Sequence, residues 1–171
     1  EGNPSAIFGI ETAILNLASA MKNQNLSTYL SLDSLKSVVA NGISGIHTPV
    51  ENYSTIKVKV GFRNLWDEIE NMKNLTAEYG NKISFRLDAN GQLNLPKAIR
   101  LCKELERFNI EYMEQPLPAN LLEDLAELRF HTEIPIAVDE SLTDINSAKL
   151  IIEEQAADVF VIKPMLTGRI K

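Results

Sequence analysis

Residues 55–62 read TIKVKVGF. On an extended chain alternate side chains share a face. Lys57 and Lys59 therefore point one way, and Ile56, Val58 and Val60 the other. Two ammonium groups side by side on an apolar strand are costly unless partners use them. Four later stretches repeat the design: KISFRLDANG (82–91), IEYMEQPLP (110–118), IPIAVDESL (134–142) and VFVIKPMLTG (159–168). Each is a short apolar run that ends in a charged residue and then a Gly, Pro, Asn or Ser. The charged residues are Lys59, Asp88, Glu114, Asp139 and Lys163, spaced by 29, 26, 25 and 24 residues. That period accommodates one strand and one helix.

The stretches between carry helical periodicity. Leu65, Ile69, Met72, Leu75 and Tyr79 mark one helix; Ala98, Leu101, Cys102, Leu105 and Phe108 mark a second, opened by Asn94 as cap with Pro96 in its first turn. Leu121, Leu122, Leu125 and Leu128 mark a third, and Asp144 caps a fourth that carries Ile145, Ala148, Ile151 and Ile152. Strands alternating with helices must run parallel. Two folds meet that description, a doubly wound sheet and a (β/α) barrel. Five charges at strand C-terminal ends converge only in the barrel, whose active site lies at that mouth. The expected fold is α/β, a partial (β/α) TIM-type barrel over residues 38–171. Residues 1–37 form a helical segment leading into it, with an amphipathic helix over 6–22. Residues 38–46 (VVANGISGI) suit a first strand, although residues 47–54 are too few for a helical crossover.

Composition narrows the function. A net charge of −6 argues against sequence-independent nucleic-acid binding. No apolar run approaches the ~18–20 residues of a membrane span, so a membrane is not an expected partner and a cytoplasmic setting fits. A single cysteine excludes an intramolecular disulfide and a zinc–cysteine cluster. His47 and His131 read as surface residues and Cys102 as core packing. Arg86, inward with Asp88, reads as the partner of a neighbouring inward acid.

Asp88, Glu114 and Asp139 would place three carboxylates on neighbouring strand ends. Oxygen donors without histidine or cysteine suit magnesium, or manganese, rather than zinc. A cation there removes the mutual repulsion that otherwise raises carboxylate pKa values. It can also hold a substrate carboxylate while a base takes the adjacent proton. Lys59 is the candidate base, with Lys57 as the group that tunes it. Lys163 would approach from the far side of the mouth. Asn90 and Gln115 stand beside the ligands as supporting groups, although Asn90-Gly91 is also ordinary turn chemistry.

The blocks KVKVG, RLDANG, MEQP, AVDES and VIKP, in that order, resemble the signatures of the enolase superfamily. IKPMLTG and PSAIFGIETAI resemble its o-succinylbenzoate synthase branch most. The resemblance implies Asp88, Glu114 and Asp139 as magnesium ligands, Lys59 as acid/base and Lys163 as the cation stabilising an enediolate. It implies a small carboxylate substrate and syn-dehydration to 2-succinylbenzoate. Dipeptide epimerases share both lysines and all three ligands and are the alternative inside the superfamily. A non-catalytic relative is the alternative outside enzymes. Superfamily members also carry a capping domain and two further strands, which the chain is expected to lack. A full barrel takes ~200–250 residues. A partial barrel exposes sheet edges and apolar core, which favours a homo-oligomer.

Overall fold

The computed structural model describes residues 3–44, 53–80 and 82–167. They divide between two compact units, Ala40–Ile162 on one side and Glu1–Val39 with Lys163–Lys171 on the other.

Among the described residues, Ala40–Ile162 contains one parallel sheet of six strands: β1 (Gly42–Ile43), β2 (Thr55–Lys59), β3 (Ser84–Asp88), β4 (Ile110–Glu114), β5 (Ile136–Val138) and β6 (Val159–Phe160). The strands neighbour one another in chain order. A doubly wound sheet reverses its order at a switch point; this one never does, as a barrel wall requires. The strand in 38–46 is present as the two residues of β1, parallel to β2. Residues 45–52, including His47, lie outside the described residues.

The intervening helices are α3 (Leu65–Tyr79), α4 (Leu95–Leu105), α5 (Leu122–Phe130) and α6 (Ile145–Glu153). Their starts are set by local chemistry. Asn64 and Asn94 accept from the backbone N–H of Asp67 and Lys97. Asp144 and Ser147 form a capping box. The apolar faces of these helices meet one face of the sheet, so Ile56, Val58, Val60, Phe85, Leu87, Met113 and Ile136 join Met72, Leu101, Cys102, Leu105, Leu125, Leu128 and Ile151 in one buried core. The opposite sheet face is polar. There Arg86 pairs with Glu111 at 2.6 Å, as the sequence suggested, and Glu111 also accepts from Thr55.

The second unit contains α1 (Pro4–Met21), α2 (Leu26–Leu30) and α7 (Pro164–Thr167). The Asn3 side chain caps α1, and Ser5 donates to the Met165 carbonyl at 3.2 Å. The stripe Ile10, Ile14, Leu17 and Met21 is exposed. Helix α1 is long and apolar enough to cross a membrane, by length and composition alone. This corrects the sequence expectation that no stretch approaches a span. Thr12, Asn16 and Ser19 break up the apolar run, but Glu11 is its single charge.

Candidate active site at the strand ends

Lys59, Asp88 and Glu114 are the last residues of β2, β3 and β4, and Asp139 follows the last residue of β5. The register sets Lys59 beside Asp88 and Asp88 beside Glu114. Hydrogen bonds from Val60 to the Asp88 carbonyl and from Ala89 to the Glu114 carbonyl carry the ladder past those residues. The carboxylates therefore sit on fixed backbone. Asp88, Glu114 and Asp139 are 2%, 1% and 3% exposed.

The strand lysines answer that buried charge. Lys57 Nζ lies 2.8 Å from Asp88 Oδ2 and 2.8 and 2.7 Å from the two Glu114 carboxylate oxygens. Lys59 Nζ lies 2.8 Å from the same Asp88 oxygen and donates to Asn90 Oδ1. Burial pulls the Lys57 pKa down, but its hydrogen bonds to Asp88 and Glu114 outweigh this and leave it raised. Burial alone would raise Asp88; hydrogen bonds from Lys57 and Lys59 hold it below the usual range. Glu114 is raised, first by burial, with Lys57 opposing and the charges of Asp88 and Asp139 adding.

Two residues with positive φ hold the rim. Asn90 (φ 45) donates its backbone N–H to Asp88 Oδ1 at 3.1 Å and its amide to Glu140 at 3.0 Å. It thus links Lys59 to the turn after Asp139. Gln115 (φ 38) is fully buried. Its Oε1 accepts from the backbone N–H of Asp139 and Ser141 at 3.1 and 3.0 Å. Its Nε2 donates to the Leu117 carbonyl and Ser141 Oγ. Three of the four bonds of this carboxamide tie the end of β4 to the end of β5, and the fourth holds the turn that follows β4. Such a buried, fully satisfied network rigidifies what it joins.

Glu68 escaped the sequence reading. It is buried at the start of α3, and its Oε1 accepts from the backbone N–H of Gly61, Phe62 and Arg63 at 2.8, 3.1 and 3.0 Å. It fixes the loop that follows Lys59. The available signal was an acid in the first turn of a helix just after a glycine-containing turn.

Lys163 belongs to the other unit, where it is exposed and its carbonyl accepts from Leu166 at the start of α7.

Residues 44–171 match the family described as Enolase C-terminal domain-like. The chain belongs to that family. It is 31% identical over 180 residues to the L-Ala-D/L-Glu epimerase of Francisella tularensis subsp. novicida (strain U112), covering 98% of this chain and 50% of that protein. It is 32% identical over 120 residues to the o-succinylbenzoate synthase of Thermobifida fusca (strain YX), covering 69% of this chain and 37% of that protein. Among solved structures, the L-talarate dehydratase of Polaromonas sp. JS666, complexed with Mg and L-glucarate, is 28% identical with a TM-score of 0.80, covering 97% of this chain and 50% of that one. A racemase and a cycloisomerase also match. Enolase-superfamily relatives of this chain are thus enzymes of several reaction classes, and o-succinylbenzoate synthesis is one among them. The chain spans about half the length of the curated relatives it matches along nearly all its residues.

The donor set fits the magnesium held by that dehydratase: oxygen ligands only, almost wholly buried, at neighbouring strand ends. As placed, the side chains do not close on one point. Among the described residues no group of three or more Asp, Glu, His or Cys is arranged to hold a metal. Asp88 and Glu114 instead share the Lys57 ammonium.

Proposed function

We propose that the protein removes a proton alpha to a substrate carboxylate and returns one to the same carbon, epimerising a dipeptide or related amino-acid derivative. The observation that carries this is the pair Lys57 and Lys59 meeting at Asp88 Oδ2 beside buried Glu114. The epimerase relative matching 98% of the chain supports this choice of reaction. In this reading Asp88, Glu114 and Asp139 hold magnesium, for which manganese could substitute. When bound, the metal polarises the substrate carboxylate. Lys59 takes the alpha proton, with Asp88 and Asn90 aiming its nitrogen. Lys57 keeps Asp88 ionised. Lys163 is assigned the proton on the opposite face from its place in the VIKP block.

Dehydration to 2-succinylbenzoate is the second reading, favoured by the synthase relative and by IKPMLTG. The two separate in heavy water with magnesium present. An epimerase returns L-Ala-L-Glu and its epimer labelled with deuterium at the alpha carbon. A synthase instead converts 2-succinyl-6-hydroxy-2,4-cyclohexadiene-1-carboxylate to an aromatic product. Lys59→Ala should lower either activity at least ~100-fold, the lower range for a general base. Absence of both exchange and dehydration, with these or other N-acylated amino acids, would sink the proposal.

A further inference from the structure

Outside the strand-end site, Arg63, Lys97 and Arg100 line one cleft of about 320 Å³, between the loop after β2 and the start of α4. Small-molecule pockets begin at about this size, ~300 Å³. Among the described residues, Lys97 and Arg100 make no ion pair, although the chain carries an excess of acids. Among the described residues, the single acid lining the cleft is Glu68. One of its oxygens is already taken by three backbone N–H groups, and the other is 3.4 Å from Arg63. Glu68 therefore offsets one of the three positive charges and leaves a local excess of two. Leu65, Leu93 and Leu101 add apolar side chains to the lining.

We propose that this cleft binds a small phosphate-bearing molecule. Two guanidinium forks and an ammonium offer more donors than one carboxylate can accept. A phosphate monoester supplies three acceptor oxygens and ~1.5–2 negative charges, the geometry that arginine binds bidentately. The leucines in the lining suit the organic body of an ester. The site is separate from the strand-end carboxylates, so it stands or falls independently of the proposed reaction.

Titration calorimetry of the purified protein at fixed ionic strength tests it, with glucose 6-phosphate and inorganic phosphate as probes. Saturable one-to-one binding is expected. The Lys97→Ala/Arg100→Ala double variant should bind at least tenfold more weakly. Arg100→Gln, which keeps the stem and an amide, should weaken binding in the same direction without lowering Tm. Lys149→Ala on α6 should change nothing. Tighter binding of the ester than of phosphate shows that the organic body adds contacts, and equal binding assigns recognition to the phosphate group alone. No saturable binding of either probe, or equal weakening by Lys149→Ala, overturns the proposal.

Discussion

Cys102 shows burial deciding the chemistry of a single group. It sits in the core face of α4 with no exposed surface, and loss of solvation pushes its thiol up to about 12. The thiolate is the reactive form. The native protein should therefore leave a thiol reagent such as DTNB unreacted at pH 8 and release one equivalent only in denaturant; fast native labelling would contradict the packing. Asp158 gives the opposite case. Burial would raise it, but Arg129 and the Ile136 N–H, 2.8 Å from Oδ2, hold it below the usual range. A folded pKa below the unfolded value means stability present above about pH 4 and lost as pH falls through the folded value. Asp158→Asn should therefore lower Tm at pH 7, with the gap to wild type narrowing below about pH 4. A constant gap down to pH 2 would show that the carboxylate charge contributes nothing.

Elements whose signals are local were legible in the sequence. The spacing from Leu65 to Tyr79, the cap at Asn94 with Pro96, and the cap at Asp144 each lie within a few residues of the helix they start, and α3, α4 and α6 begin there. The strand ends were legible for another reason: a charge on an apolar run needs partners, and Lys57 finds Asp88 and Glu114, 31 and 57 residues further along the chain. What stayed hidden depends on tertiary contact. The strand expected over 38–46 is there, but its two-residue extent is set by its ladder to β2, and Glu68 looks like any helix acid until the Gly61–Arg63 loop folds onto it. Likewise VIKP aligns with the other strand ends in period, yet the structure groups Lys163 with α1 and α7. The capping box allows a direct test at this scale. Asp144 accepts from Asn146 and Ser147 at 2.8 Å each, and Ser147 Oγ accepts from the Asp144 N–H at 2.9 Å. Asp144→Ala should lower the urea-unfolding midpoint, and Asp144→Asn much less. Equal losses would mean that charge rather than capping geometry is at work.

For the molecule as a whole, the question is what balances three buried carboxylates. Lys57 and Lys59 both lean on Asp88, and Glu114 remains raised by burial and by the charges of Asp88 and Asp139. A group with a raised folded pKa is ionised at neutral pH at a cost to folding, because the unfolded chain binds the proton less tightly. A cation bound at these oxygens reverses that sign by favouring ionised Glu114. It also binds only the folded state, and such linkage adds about 2.7 kcal/mol at a hundredfold excess over Kd. Magnesium should therefore raise Tm in a saturable way that EDTA reverses. Glu114→Gln should behave oppositely in two respects. Without magnesium its Tm should equal or exceed that of wild type, since a neutral amide replaces a carboxylate the fold disfavours. With magnesium it should lose most of the increment. Sodium chloride at matched ionic strength separates binding from screening, which acts on both proteins alike. A rise of the same size in sodium chloride, or an undiminished rise in Glu114→Gln, would remove the strand-end carboxylates as the metal's ligands.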